Sequence, residues 1–298
     1  GGCDGQNQAQ DGSCKRRFKC VVAYDGTDFC GWQSQKGGGS VQDFIEARLA
    51  QIFKKPVRIH GSGRTDSGVH ATGQVFHFDA VWKHPDDALL AALRSTNRTD
   101  VFVKSLKRVG DNFHARYSVR GKRYVYYIHR GVALPHLARY RWSLKGLNPD
   151  IDKMNAAAEA LVGEHDFTAF SASRGADARE NPIKELRKLS ASSRGAEIKI
   201  VAEGSGFMYK MVRMLVGALV DAGTGRLSKS DIEGILASKK RGNYFQAAPA
   251  RGLFRATAWS ALIALTARAA WTALTELIAR YRVDFTAAKT AQTALCAC

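Results

Sequence analysis

The 298 residues carry 45 Lys and Arg against 27 Asp and Glu, a formal net charge of +18 with a pI near 9.8. With 45% hydrophobic and 24% charged residues, the composition is that of a folded globular protein of one large or two modest domains. No run of about 18 apolar residues offers a membrane span, and the charge excess points to a polyanionic partner, RNA or DNA.

In chain order, residues 1–14 read as a loose polar tail and Phe18–Tyr24 as a strand. After a Gly-rich connection, Ser40 and Asp43 stand as a capping-box pair before a helix with the apolar stripe Val41, Phe44, Ile45, Leu49 and Ile52, ended by Pro56. Val57–His60 and Gln74–Asp79 read as strands on either side of a glycine loop. Asp86–Leu93 reads as a helix, and Val101–Val109 and Lys122–His129 as strands, the latter dense in Tyr and β-branched residues. The second half restarts with a helix capped by Asn148, with Pro149 at its first position and Gly163 closing it. Ile183–Ser192 and Glu197–Glu203 follow as strands, then a helix over 206–223 with an apolar face of Met208, Met211, Val212, Leu215, Val216 and Leu219. Ser230 and Glu233 are expected to cap another helix, and Gly252–Trp259 to form the last strand. Two α+β units, 15–130 and 131–260, are expected, followed by an Ala/Thr-rich, mostly helical extension over 261–298.

The six cysteines, Cys3, Cys14, Cys20, Cys30, Cys296 and Cys298, form no C-x-x-C, and no histidine pair has zinc spacing. Neither a structural metal nor a disulfide framework is expected. The expected compartment is the cytoplasm, with a mitochondrial, other organellar or nuclear one as the alternative; an initial Gly in place of Met leaves an upstream leader open.

The glycine loop holds Asp66. An Asp after Thr in such a loop is ordinarily a turn residue. Against this, Gly61, Gly63, Gly68 and Gly73 let backbone or a ligand come close, Arg64 could keep the carboxylate ionised and nucleophilic, and flanking strands supply a rigid scaffold. On these features alone Asp66 is equally a turn-former and a reagent. Arg213 interrupts an apolar helix face, and a buried arginine is costly unless paired, so a carboxylate at the core of a site is its expected partner. Among Tyr124, Tyr126 and Tyr127 at least one ring should face the core. Gly37–Ser40 lacks the phosphate-loop pattern and residues 204–210 the dinucleotide fingerprint, so no nucleotide cofactor is expected. Lys15, Arg16 and Arg17, the run from Arg116 through Lys122 and Arg123, and Lys239, Lys240 and Arg241 are the clustered cations for RNA contact.

Five segments in order, YDGTDFCGWQ (24–33), GRTDSGVHATGQVFHF (63–78), FHARYSVRGKRYVYYI (113–128), GEHDFTAF (163–170) and GFMYKMVRMLVGAL (206–219), resemble the tRNA pseudouridine synthase A (TruA) family, from about Phe18 to Trp259. The resemblance implies an α+β pseudouridine-synthase fold, two α/β subdomains around a largely antiparallel mixed sheet with a basic RNA-binding cleft. It implies a homodimer that binds tRNA and isomerises uridine to pseudouridine in the anticodon stem-loop without a cofactor. Matched by position, Asp66 is implied to be the catalytic carboxylate, Arg64 to assist base flipping, Tyr124 to stack on the target base, and Arg213 to pair with Asp66. Such a reaction detaches uracil from its sugar and rejoins it through carbon, so the base must leave the stack for a closed pocket. The carboxylate can add covalently or remove a sugar proton, and the loop glycines would make room for ribose and base.

Two departures stand out. The family's Asn-x-x-Leu-Pro segment reads here as the more basic Arg94-Ser95-Thr96-Asn97-Arg98, which bears on RNA grip or substrate choice. Residues 261–298 extend past the family's usual end, a candidate surface for a protein partner or a dimer edge. The alternative function is a catalytically silent RNA-binding protein of the same descent, against which Asp66, Tyr124 and Arg213 argue together.

Overall fold

The computed structural model describes residues 15–173 and 181–259; the tail 1–14 and the extension 261–298 lie outside them. Ten strands join in one sheet: β1 (Arg16–Tyr24), β2 (His60–Gly61), β3 (His70–Ala80), β4 (Val101–Val109), β5 (Gly121–His129), β6 (Trp142–Ser143), β7 (Gly163–Asp166), β8 (Ile183–Arg194), β9 (Glu197–Gly204) and β10 (Leu253–Trp259). The helices are α1 (Val41–Phe53), α2 (Asp86–Arg94), α3 (Pro135–Ala138), α4 (Ile151–Glu159), α5 (Met211–Gly223) and α6 (Lys229–Ser238). Across the sheet the order is β4-β1-β3-β10-β5-β9-β8-β7, with β2 on β3 and β6 on β5. Most pairings are antiparallel, but β10 runs parallel to β3 and β6 parallel to β5. This is the expected α+β class with a largely antiparallel mixed sheet.

Two cores flank the middle of the sheet. In the first, alternate residues of β1 (Phe18, Cys20, Val22, Tyr24) face Phe76 and Phe78 of β3, and α1 lays Val41, Ile45 and Leu49 over them. Phe18 sits directly opposite Phe78, and the two rings stack at 5.3 Å, the cross-strand contact that holds antiparallel pairs in register. In the second, Tyr126, Ile128, Ile198 and Ile200 of β5 and β9 meet Met154 of α4 and Leu215 and Leu219 of α5. Helix α5 is buried nearly all round, as an inner helix must be to stay apolar on every face. The last strand, β10, lies between β3 and β5 and so joins the strands of the first half to those of the second at the centre of the sheet. Gly73 permits this: a Cβ there would stand 2.2 Å from the Ala256 carbonyl oxygen.

Several boundaries differ from expectation. Val57–Ile59 forms no ladder, because the Ile59 N–H donates to Glu46 of α1 and its carbonyl accepts from Gln42, leaving only His60–Gly61 as strand. Helix α4 is capped by Asp150, whose carboxylate accepts from the Asp152 and Lys153 amides, not by Asn148; Gly163, at φ +123°, opens β7 instead of closing the helix. Helix α6 is boxed by Ser228 and Asp231 in place of Ser230 and Glu233. Helix α5 begins at Met211 because Lys210 adopts a left-handed conformation (φ +57°), and residues 206–210 run as a loop into the site.

Candidate active site

Asp66 lies on the loop between β2 and β3, and contacts from the first core fix that loop from below. The Trp32 N–H donates to the Thr65 carbonyl, and the buried hydroxyls of Tyr24 and Thr65 lie 2.8 Å apart. Gly31, at φ +94°, passes so close to Thr65 that a Cβ would meet its carbonyl oxygen at 2.6 Å. Val69 closes the turn by donating to the Asp66 carbonyl. The carboxylate is therefore held by backbone geometry set a full strand away.

Above Asp66 opens a cavity of about 310 Å3 lined by Gly61, Gly63, Arg64, Asp66, Arg116, Lys122, Tyr124 and Arg213 together with Trp32 and residues 207–212. The glycines also let protein approach protein: the space a side chain would fill at Gly61 belongs to the Trp32 indole, that at Gly63 to the Arg255 guanidinium, and that at Gly73 to the Ala256 carbonyl.

Arg213 reaches Asp66 from the first turn of α5. Its Nη1 stands 3.4 Å from Asp66 Oδ2, and its Nε donates to the Ala248 carbonyl at 2.6 Å. The Ala248 amide in turn donates to the Arg213 carbonyl. Both side chains are mostly withdrawn from solvent, 15% exposed for Arg213 and 21% for Asp66. The carboxylate anticipated for a buried arginine on this helix is thus Asp66 itself. Arg64 takes no part in the pairing, since it is exposed at the rim and forms no ion pair with Asp66. Tyr124, on β5, is 7% exposed and lines the cavity, its ring wedged edge-on against Phe207 at 5.2 Å. Tyr126 and Tyr127 serve packing, the first donating its hydroxyl to the Pro249 carbonyl and the second stacking under Arg141.

The basic residues sort into two groups. Arg64, Arg116, Lys122 and Lys210 line the cavity. Arg123, one residue along β5 and so on its opposite face, pairs with Glu203 directly across the ladder at 2.9 Å. Arg17 forks onto Asp79 at 2.7 and 2.8 Å, and Lys15, Arg16 and Arg17 are not among the lining residues. Arg241 is tied to the Ser171 carbonyl. Arg94 donates to the Val103 and Lys104 carbonyls, and Arg98 pairs with Asp100 while stacking on Phe29 and Phe44. The unusual basic segment therefore pins α2 to β4.

Sequence reasoning missed Arg255 on β10. It is fully buried, with Nη2 donating to Ser62 at 2.8 Å and the guanidinium carbon 6.0 Å from the Tyr124 ring. Its signal was a lone charge in an otherwise apolar strand. A helix over 206–210 gives no reason to place Phe207 and Lys210 at the cavity; they line it because this stretch is a loop.

A family model described as tRNA pseudouridine synthase matches residues 20–118 and 157–258. A relative named tRNA pseudouridine synthase A from Brevibacillus brevis is 38% identical over 239 residues, 80% of this chain and 97% of that one. Its namesake from Bacillus licheniformis is 39% identical over 240 residues, 80% and 96% of the two chains. That from Lysinibacillus sphaericus is 39% identical over 241 residues, 80% and 97%. Among solved structures, the one titled "Crystal Structure of a Cbf5-Nop10-Gar1 Complex" matches 68% of this chain and 44% of its own at 12% identity and a TM-score of 0.32, too low to carry any argument.

Proposed function

The chain belongs to the tRNA pseudouridine synthase family, enzymes that isomerise uridine to pseudouridine, and from that premise we propose that Asp66 is the carboxylate that acts on a uridine flipped out of the tRNA anticodon stem-loop. The carrying observation is the Asp66–Arg213 pair at the floor of a cavity beside the Tyr124 ring. Asp66 is the one carboxylate among the described residues that line it.

The reaction breaks the bond from N1 of the base to C1′ of the ribose and forms one from C5 to C1′. A proton leaves C5 and one returns to N1, so atoms and electrons balance within the substrate. Between those events the uracil is detached and must be held while it turns. Tyr124, braced by Phe207, offers a fixed ring for that purpose, and base stacking on such a ring contributes about 1–3 kcal/mol. Arg213 sets the carboxylate's orientation because it is itself anchored to the Ala248 carbonyl. Arg64, Arg116, Lys122 and Lys210 around the mouth match the phosphates of a splayed nucleotide.

The test is pseudouridine formation in unmodified tRNA transcripts, mapped by site, with the wild type beside Asp66→Asn. The variant is expected to lose product by at least about 1,000-fold, within the span that a chemical group supplies in such sites, while RNA affinity stays within about twofold. Product from the Asn variant at near wild-type rate would refute the assignment of Asp66. Wild-type product mapping outside the anticodon stem-loop would refute the assigned target.

A further inference from the structure

We propose that Tyr117 is a stacking platform for an unpaired nucleobase of the RNA substrate, one that neighbours the uridine held in the cavity. The proposal rests on the reading of that cavity as the uridine site.

Tyr117 lies on the connection between β4 and β5. At 77% exposure it is the most exposed of the large hydrophobic residues described. A surface tyrosine on a loose loop would mean little, but this loop is tied down at each step. The Arg17 guanidinium donates to the Asp111 and Phe113 carbonyls, and the Ala115 amide donates to Nδ1 of His77 at 3.1 Å. The Ala115 side chain is fully buried against Val75. The His114 amide donates to the Ser118 hydroxyl and the Ser118 amide to the His114 carbonyl, closing the turn, while the Arg116 amide donates to Nδ1 of His114.

The rings form a cluster. His60, His77 and His114 touch pairwise, His60 stacking on His77 at 5.0 Å, His114 meeting His77 edge-on at 4.6 Å and His60 at 5.7 Å, and His114 carries Tyr117 at 4.4 Å with the planes tilted by 32°. Tyr117 is the outermost ring of that cluster. Its backing ring is supplied by the protein, and most of its own surface is left to solvent. A ring backed by the protein on one side has less rotamer freedom to lose on binding, which lowers a cost that a ligand would otherwise meet.

Position and charge identify the occupant. The Arg116 guanidinium carbon lies 5.9 Å from the Tyr117 ring centroid, and Arg116 also lines the cavity above Asp66, with Lys122 beside it. One arginine thus borders both the uridine site and the platform, where its guanidinium can meet the phosphate that joins two adjacent nucleotides. Rigid aromatics interleaved with cations are how single-stranded nucleic acid is held when its bases are splayed. Stacking of this kind accepts any base, so the platform grips the strand next to the target without reading it.

The experiment compares Tyr117→Ala and Tyr117→Phe with the wild type in the full chain. The probe is an unmodified tRNA transcript carrying 2-aminopurine in turn at each position flanking the mapped target. Tyr117→Ala is expected to raise Kd and KM by about 10-fold, within the roughly 5- to 150-fold range of one lost stacking contact, with a much smaller effect on the single-turnover rate at saturating RNA. It should also abolish the fluorescence quench at one flanking position, and Tyr117→Phe should restore affinity and quench together. Unchanged Kd and quench in Tyr117→Ala, with Asp66→Asn inactive, would overturn the platform alone. A fall in saturating rate with Kd unchanged would also overturn it, assigning Tyr117 to the chemical step. Product from Asp66→Asn would remove the premise and the proposal with it.

Discussion

Replacing Arg255 with Met should make the protein more stable. The guanidinium is fully buried on β10, donates one hydrogen bond to Ser62, and leaves Nε and Nη1 without an acceptor; among the described residues no carboxylate pairs with it. Arginine does not escape by losing its proton. An uncompensated buried charge costs about 3–5 kcal/mol, and one hydrogen bond from a charged group offsets about 1.5–3 kcal/mol of that. Ser62 keeps a partner in the variant, since its hydroxyl also donates to Gln74 at 2.9 Å, and Met has a similar length and no polar atom to satisfy. The difference is a net gain of about 0–3.5 kcal/mol with a midpoint near 2, or a rise in Tm of roughly 4–8 °C at that midpoint for a domain of this size. Urea and thermal denaturation of the two proteins, followed by circular dichroism, read it directly. A Met variant less stable by more than about 1 kcal/mol would refute the reasoning, because it would mean that the two nitrogens are satisfied in solution.

Arg213→Lys keeps the charge but not the planar fork, whose Nε and Nη1 hold the Ala248 carbonyl and Asp66 from separate atoms in fixed directions. Single-turnover product formation should fall on the order of 100-fold with RNA affinity nearly unchanged; a Lys variant at wild-type rate would show that the anchoring is dispensable. Stability should also weaken in mild acid. Burial first, then the neighbouring charges of His114, His60 and Arg17, bring His77 down from 6.5 to about 4 against the pull of Asp79, and burial also lowers His70 and His114. Below pH 6.5 the unfolded chain takes protons that the folded one refuses, so the stability present above pH 6.5 is lost as pH falls towards 4. At about 1.4 kcal/mol per pH unit His77 accounts for at most about 3 kcal/mol, less whatever solvent screening removes. Urea midpoints at pH 7 and pH 5 measure the loss, and His77→Asn, whose side-chain carbonyl can still accept from Ala115 without titrating, should flatten it. Equal wild-type midpoints at the two pH values would contradict this account.

Local signals carried much of this architecture. Ser40 and Asp43 form the capping box read from their spacing, and β4 has the bounds read from the sequence, Val101–Val109. Where two local signals compete, only packing chooses. Residues 228–233 read Ser-Lys-Ser-Asp-Ile-Glu, with a serine ahead of an acid at spacing three in two registers. The register capped by Ser228 is the one whose helix buries Ile232 and Ile235. The same competition placed the cap of α4 at Asp150 instead of Asn148. Nothing local put β10 between β3 and β5, because a parallel pairing of Arg255 with Ala71 is a contact between chain segments that carry no mark of each other.

The two buried arginines define how far physical reasoning on sequence reaches. An arginine inside an apolar helix face demands a carboxylate, and at Arg213 that demand is met by Asp66 at 3.4 Å. The same rule applied to Arg255, the charged residue of an inward-facing strand position, demands a second carboxylate, and none pairs with it among the described residues. Burial cost is therefore a reason to look for a partner and not evidence that one exists. Arg255 nevertheless shapes the site, because its guanidinium fills the space that a side chain at residue 63 would need and lies 6.0 Å from the Tyr124 ring. Loss of Arg213 would disorient a carboxylate, whereas Arg255 occupies its place at a cost in stability. The rate of Arg213→Lys should accordingly fall while the Tm of Arg255→Met rises, and a fall in both would mean that the Arg255 guanidinium, like that of Arg213, has its charge satisfied where it lies.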